Sequence, residues 1–474
     1  MNREKLELVT DLYEFSMSNG YFELNRDEIA YFDIFFRKVP DKGGYAIVAG
    51  LEQIIDYVEN LSFDEEDINY LKSLNIFSDK YLEYLSNFKF TGDIWAIPEG
   101  TVVFPREPLI TVRANIVEAQ ILETAMLLLL NHQSLIATKT SRIVRAANGR
   151  SIMEFGARRA HGVSAAVYGA RASIIGGAVG TSCVLTAQRF EVPASGTMAH
   201  SWVQSFPSEY EAFKAYADMY PNNCLLLVDT YNTLESGIKN AIKVFDEVLK
   251  PKGICPLGIR LDSGDLAYLS KKVRTMLDEA GYSDAKICVS NSLDEHLITS
   301  LLEQDAKIDS FGVGENLITA KSDAVFGGVY KLVAVEKDGK LTPKIKISEN
   351  VEKITNPSFK KVYRFYSKET NFAIADVITL ADEVVSEDGY ELFDEHNTWK
   401  KKHISNYYVK ELQEKIFENG KLIYKSPNLK EIAKYSKEQL NTIWDEVKRL
   451  RNPQRYYVDI SQKLYDLKNE MLNN

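Results

Sequence analysis

Cysteine is scarce in this 474-residue chain: Cys183, Cys224, Cys255 and Cys288 stand far apart and form no CxxC pair. That excludes a zinc ribbon or a dithiol redox motif and predicts reduced, buried thiols. Long apolar runs are also missing. The run near the front, Ala125 to Leu130, is far too short to span a bilayer, and the opening MNREKLELVTDLYEF shows no apolar core followed by a small-residue cleavage site, so a cytoplasmic, soluble protein is expected. Positive charge is in deficit, with 57 Lys and Arg against 67 Asp and Glu and a net charge of −10. Such a chain has no general attraction for phosphate backbones; neither nucleic acid nor membrane is an expected partner, and an anionic substrate must meet a local basic cluster. No HxH pair or paired histidine–carboxylate cluster is visible, and no lysine stands out at a strand end. A metal-dependent hydrolase and a Schiff-base aldolase therefore lack support, and no metal-ligating residue is singled out.

What remains is the composition of an ordinary globular protein, 45% hydrophobic and 26% charged, in a chain longer than one core usually organises. From Ile29 to Val48 the text reads as two strands around a turn, with Pro40 and Gly43-Gly44 between them, and helical text follows to about Asn87. Phe90 to Ala114 is rich in β-formers and broken by Pro and Gly; Ile116 to Ala147 is strongly helical. Residues 1–147 thus read as an N-terminal sheet domain with connecting helices. Over residues 148–325 short apolar runs alternate with amphipathic helices. Candidate strands are Ser151 to Phe155, Leu225 to Val228, Leu257 to Leu261, Lys286 to Val289 and Ile308 to Phe311, the last four roughly 30 residues apart as βα units are. An α/β barrel catalytic domain is predicted. Residues 326–400 return to strand-like text (VYKLVAVEK, TPKIKIS, KVYRFYS, FAIADVITL), expected to complete the N-terminal sheet domain, and residues 401–474, charged and Lys-rich, read as a helical C-terminal region.

In barrels of this kind the loops after the strands carry the reacting groups. In GIRLDSGD, Arg260 and Asp262 lie two apart and project to one face, either as a structural ion pair or as a cation and carboxylate of a site. PASGTMAHSW approaches His200 through small residues that leave room for a ligand, and a neutral imidazole is suited to proton transfer and to transient phosphorylation. Asp229 ends LLLVD; it either orients His200 or caps the following helix. In FGVGEN, Gly312 and Gly314 are spaced so that backbone N–H groups can converge on an anion, although tight turns need glycine as often. Arg158, Arg260 and Lys321 would supply the charge.

As an ordered set running from Leu8 to Val333, LVTDLYEFSM, FGARRAHG, GTSCVLT, SGTMAHSWV, LLVDTYNT, GIRLDSGD, FGVGENLIT and GGVYKLV resemble the nicotinate phosphoribosyltransferase family. The resemblance implies an irregular α/β barrel of the type II phosphoribosyltransferase class, a discontinuous α+β sheet domain, and a homodimer with shared active sites. It also implies joining of nicotinate to phosphoribosyl pyrophosphate in NAD salvage, with ATP as co-substrate phosphorylating His200 and Mg2+ neutralising the leaving pyrophosphate. Carried over by position, Tyr13 and Phe155 match the aromatic pair that sandwiches the pyridine ring, with Tyr13 reaching the neighbouring subunit's site. Arg260 and Thr197 match contacts to the same substrate. Arg158, Gly312, Gly314 and Lys321 fall where the family holds the 5-phosphate or pyrophosphate, and Asp262 where a carboxylate meets ribose or magnesium. At Ser182 nicotinamide-using relatives carry an acid, so the neutral serine points to nicotinate. At Glu315, where some members have threonine, a side chain that cannot donate to phosphate leaves that contact to the glycine amides. The alternatives are a nicotinamide- or quinolinate-using phosphoribosyltransferase, and a catalytically silent homologue that binds pyridine nucleotides.

Overall fold

Leu225, Leu226 and Leu227 are all buried, and a strand with no polar face has to be covered on both sides. In the computed structural model, which describes residues 5–473 apart from the side chain of Val351, this run belongs to a six-stranded parallel sheet. Its strands are β1 (Ser151–Glu154), β2 (Gly180–Thr181), β3 (Leu225–Leu227), β4 (Gly258–Leu261), β5 (Lys286–Ser290) and β6 (Ser310–Val313), in the order β2-β1-β6-β5-β4-β3. Helices between them, such as Val163–Ile175, Leu266–Glu279 and Glu295–Glu303, provide the cover. These elements make up the compact unit Ile136–Ala324. Among the described residues no hydrogen-bonded ladder joins β2 to β3, the two outer strands of this order. β2 is too short to announce itself in sequence; Ala194 extends its edge through a parallel bridge to Thr181.

One buried ion cluster ties helices of this unit together. Lys139 Nζ lies 2.9 Å and Arg142 Nε 3.0 Å from Glu295 Oε1, all three side chains being almost completely buried. Burial alone would push the Glu295 carboxyl up, but the two cations outweigh it and leave it below its usual range.

The second unit comprises Met1–Leu135 and Val325–Asn474. Its seven-stranded antiparallel sheet runs, edge to edge, through Lys340–Pro343, Gly328–Lys337, Ile29–Phe36, Ile110–Asn115, Asp93–Ala96, Glu414–Glu418 and Lys421–Leu422. Only part of the 326–400 segment therefore completes this sheet. Lys360–Ser367 and Ala373–Leu380 instead form a four-stranded sheet with Tyr407–Glu411 and Val458–Ile460, and Tyr390–Asp394 pairs with Asn397–Ile404 as a hairpin. The expectation of a helical region over 401–474 is corrected as well: it contains helices Leu429–Asn441 and Gln462–Asn473, but four short strands besides the end of the hairpin. The reason is that these strands expose one face. Charged residues on that face dominate the composition, while Tyr407, Ile416 and Phe417 are buried.

At the centre of the four-stranded sheet Arg364 and Asp376 are both fully buried and paired bidentately, Nε to Oδ1 at 2.7 Å and Nη2 to Oδ2 at 2.6 Å. Tyr456 Oη donates to Asp376 at 3.0 Å, and Arg364 donates to the Val102 carbonyl at 2.8 Å. Removing one partner leaves the other charge uncompensated. Asp376→Ala should destabilise the fold by about 3–5 kcal/mol, and adding Arg364→Met should recover part of that loss. Urea denaturation midpoints measure both; an Asp376→Ala midpoint equal to that of the parent would show that the pair holds nothing.

Candidate active site

Parallel strands direct their C-terminal ends to one edge, so residues leaving β1 to β6 gather there. Arg260, within β4, is the centre. Its Nε donates to Ser290 Oγ at the end of β5 (2.8 Å), Nη1 to Thr197 Oγ1 (3.0 Å) and Nη2 to Asp262 Oδ1 (2.9 Å). A guanidinium has five N–H donors, so two remain for a ligand. Ser290 Oγ also donates to Asp262 Oδ1, and the Phe155 ring lies with its centroid 5.7 Å from the guanidinium carbon. The spacing argument for Arg260 and Asp262 thus matches the geometry: one ion pair, facing the same way.

His200 opens the short helix His200–Gln204 and is half-buried. Its Nδ1 lies 3.1 Å from Thr230 Oγ1, and its Nε2 is 3.7 Å from Asp262 Oδ2. The expected hydrogen bond from His200 to Asp229 is absent. Asp229 instead accepts from the Asp262 backbone N–H and from Ser263 Oγ, each at 2.7 Å through Oδ2, while its buried Oδ1 has no hydrogen-bond partner. Asp229 is only 8% exposed, and the turn after β4 reaches its carboxylate before the imidazole does. Nor is Asp229 a helix cap, since Asn232 takes that place with bonds to Leu234 and Glu235.

Phe155 follows β1 and its N–H bonds to the Val313 carbonyl at 2.8 Å. Gly312 is explained sterically: a Cβ there would stand 2.4 Å from the Phe155 ring. Gly314 lies 3.2 Å, at its own Cβ position, from the Phe155 carbonyl oxygen, and its carbonyl accepts from Leu317 and Ile318. Both glycines let the chain pass under Phe155. Ser182, just past β2, is half-buried, with its N–H bonded to the Glu154 carbonyl at 2.9 Å. Arg158 is exposed and makes no ion pair among the described residues. Lys321 is exposed and bonded to Glu315 at 2.7 Å, which holds the Glu315 carboxyl below its usual range. Tyr13, on the helix Leu12–Glu23 of the other unit, is 45% exposed.

Ser290 and Thr230 escaped the sequence reading, in which Ser263 figures only as polar company after Asp262. The signal was available for Ser290, a hydroxyl closing the apolar run KICVS at a strand end. Thr230 was overshadowed by the aspartate beside it.

Residues 8–131 match the profile of the nicotinate phosphoribosyltransferase (NAPRTase) N-terminal domain, residues 150–375 that of the NAPRTase family and residues 359–468 that of the NAPRTase C-terminal domain. A nicotinate phosphoribosyltransferase of Bacillus subtilis (strain 168) is 46% identical over 99% of this chain and 96% of its own length. The crystal structure of human nicotinic acid phosphoribosyltransferase superposes with a TM-score of 0.86 at 28% identity, covering 98% of this chain and 99% of that one. A nicotinate-nucleotide pyrophosphorylase from Pyrococcus furiosus shares the fold, with a TM-score of 0.71 at 24% identity over 93% of this chain and 98% of its own.

The three bonds of Arg260 need a planar fork, which an ammonium cannot reproduce. Arg260→Lys should keep the fold but lower kcat/KM by about 100-fold, the loss of one or two charge-assisted hydrogen bonds. Circular dichroism and steady-state kinetics test it; a loss of less than about threefold would reduce Arg260 to a bulk positive charge.

Proposed function

The chain belongs to the nicotinate phosphoribosyltransferase family, and we propose that it drives the joining of nicotinate to phosphoribosyl pyrophosphate with ATP, through a phosphohistidine at His200. The observation that carries this reading is the convergence of His200, Asp262, Arg260 and Thr197 beside the Phe155 ring. In the tautomer whose Nδ1–H donates to Thr230, the lone pair sits on Nε2, which at 3.7 Å from Asp262 is beyond hydrogen-bond reach. Nε2 attacks the γ-phosphorus, ADP leaves, and water later releases the phosphate as the enzyme turns over. Asp262, beside Nε2, would stabilise the imidazole when it is protonated.

Nicotinate lies flat against Phe155, and the unused donors of Arg260 meet its carboxylate, with Thr197 beside them. Ser182, whose hydroxyl makes no hydrogen bond among the described residues, offers neutral polarity at the slot. Arg158, unpaired and exposed, and Lys321, once it leaves Glu315, take the phosphate groups. Gly312 and Gly314 keep that side narrow by accommodating Phe155. Mg2+ fits as a visitor with pyrophosphate: the unpartnered Asp229 Oδ1 and the Asp262 carboxylate are hard oxygen donors, and no set of three or more ligating side chains forms a resident cage among the described residues. When bound, the ion neutralises the leaving pyrophosphate.

Closure of the parallel sheet into an irregular barrel belongs to the same proposal. Four strand spacings separate β2 from β4, about 19 Å if flat, yet Thr197, beyond β2, bonds to Arg260 at 3.0 Å. A strongly curled sheet accounts for that. A homodimer acting in the cytoplasm completes the reading: Leu12, Tyr13 and Met17 are exposed on one helix, as suits a face that packs against a second copy and presents Tyr13 to its site. No helix among the described residues is long and apolar enough to cross a membrane.

Incubation with ATP and magnesium should place an acid-labile, base-stable phosphate on His200. His200→Ala should abolish ATP stimulation while leaving slow ATP-independent transfer, because substrate positioning survives. Mass spectrometry finding no label on an active enzyme, or full coupling in the variant, would remove the phosphoenzyme. Substrate choice supplies a second test. Ser182→Asp should lower the turnover efficiency for nicotinate by roughly tenfold or more, through repulsion of its carboxylate, while nicotinamide falls less or improves. Equal loss of both substrates in a folded, phosphorylatable variant would make Ser182 a packing residue.

A further inference from the structure

Glu154, the last residue of β1, is fully buried and takes no part in the chemistry described above. One carboxylate oxygen accepts the Gly156 N–H, and the other accepts the Thr181 hydroxyl at 2.6 Å. Thr181 Oγ1 in turn accepts from the Cys183 N–H at 2.9 Å, and the Glu154 carbonyl accepts from the Ser182 N–H at 2.9 Å. One residue therefore holds the backbone on either side of two site positions: Gly156 follows Phe155, while Thr181 and Cys183 flank Ser182. The fit at Gly156 is close, since a Cβ there would stand 2.5 Å from Ile318 and 2.8 Å from Glu154 Oε1.

Burial pushes the Glu154 carboxyl up, because the charged form is costly away from water. An apolar side chain of similar volume would fill the space without that cost. The acid is accounted for by what it holds. Gly156 N–H lies in the loop after β1 and Thr181 Oγ1 at the end of β2, and only a side chain with two acceptors, or one acceptor and one donor, bridges them.

We propose that Glu154 is a positioning residue that clamps the Phe155 loop to the Ser182 loop and thereby sets the width of the pyridine slot. This rests on the assignment of Phe155 and Ser182 to that slot. Glu154 itself touches no substrate. Its loss loosens both walls of the slot, so the binding of the ring suffers before the turnover of bound substrate does.

The test measures KM for nicotinate and for phosphoribosyl pyrophosphate, with kcat, in Glu154→Ala, Glu154→Gln, Thr181→Val and Phe155→Ala. Losing the bridge in Glu154→Ala should raise the nicotinate KM by about tenfold, the scale of one or two hydrogen bonds. The other KM and kcat should stay within about threefold of the parent. Glu154→Gln keeps an acceptor for Gly156 and gains a donor for Thr181, so it should restore the nicotinate KM to within about threefold. Thr181→Val breaks one side of the clamp without emptying the buried site, and should raise the nicotinate KM in the same direction even if Glu154→Ala fails to fold. Equal rises in both KM values, no rescue by glutamine, or an unaltered Thr181→Val would overturn the clamp. An unaltered nicotinate KM in Phe155→Ala would instead overturn the assignment of the slot on which it rests.

Discussion

The Arg260 guanidinium is gripped by Ser290 from the end of β5, by Asp262 from the turn after β4 and by Thr197 from the segment beyond β2. A cation with only 16% of its side chain exposed needs acceptors of this kind, because water no longer satisfies it. The consequences spread outward. Asp262 is fixed by Arg260 and Ser290, and its backbone N–H fixes Asp229. The same carboxylate faces His200 from 3.7 Å. Displacing the guanidinium would disturb the acid, the imidazole and the Phe155 ring together.

That grip is possible because the scaffold beneath it is apolar and closely packed. β3 and β4 contribute fully buried residues such as Leu226, Leu227, Ile259 and Leu261, and a parallel sheet covered on both faces leaves its polar residues nowhere to emerge except at the strand ends. Buried charge is then used sparingly and in pairs. The Lys139, Arg142 and Glu295 cluster braces helices of this unit, and Glu154 braces two loops. At Glu295 the two cations outweigh desolvation, whereas at Glu154 the hydrogen bonds from Thr181 and Gly156 oppose it without cancelling it.

The other unit follows the same rule with different parts. Arg364 and Asp376 pair at the heart of the four-stranded sheet, and Lys360 lies 2.9 Å from Asp33, both almost completely buried. Stacking of Phe104 on Tyr456, with centroids 3.9 Å apart and planes 9° from parallel, shields the arginine pair from water. Strands from both ends of the chain meet in its seven-stranded sheet, where Asp93–Ala96 pairs with Glu414–Glu418. Segments separated by the whole other unit thus fold as one.

The sequence by itself determined five of the six parallel strands and part of the candidate site. Apolar runs on a βα period suit buried strands, and polar residues at their ends gather at one edge, which is why His200, Arg260 and Asp262 stand out from the pattern, whereas Phe155 and Thr197 were reached only through the family resemblance. The pairing of Arg260 with Asp262 followed from side-chain alternation alone. Tertiary structure decided what alternation does not encode. Whether Asp229 met the imidazole or the turn after β4 depended on distances between loops far apart in sequence, and the turn prevailed. The bridge from Glu154 to Thr181 exists because β1 and β2 lie side by side, and a two-residue strand leaves no periodic trace. Likewise the strands after residue 401 expose one charged face, so composition reads them as helix. Local pattern sets which way a side chain points; only the packed sheets set which one it meets.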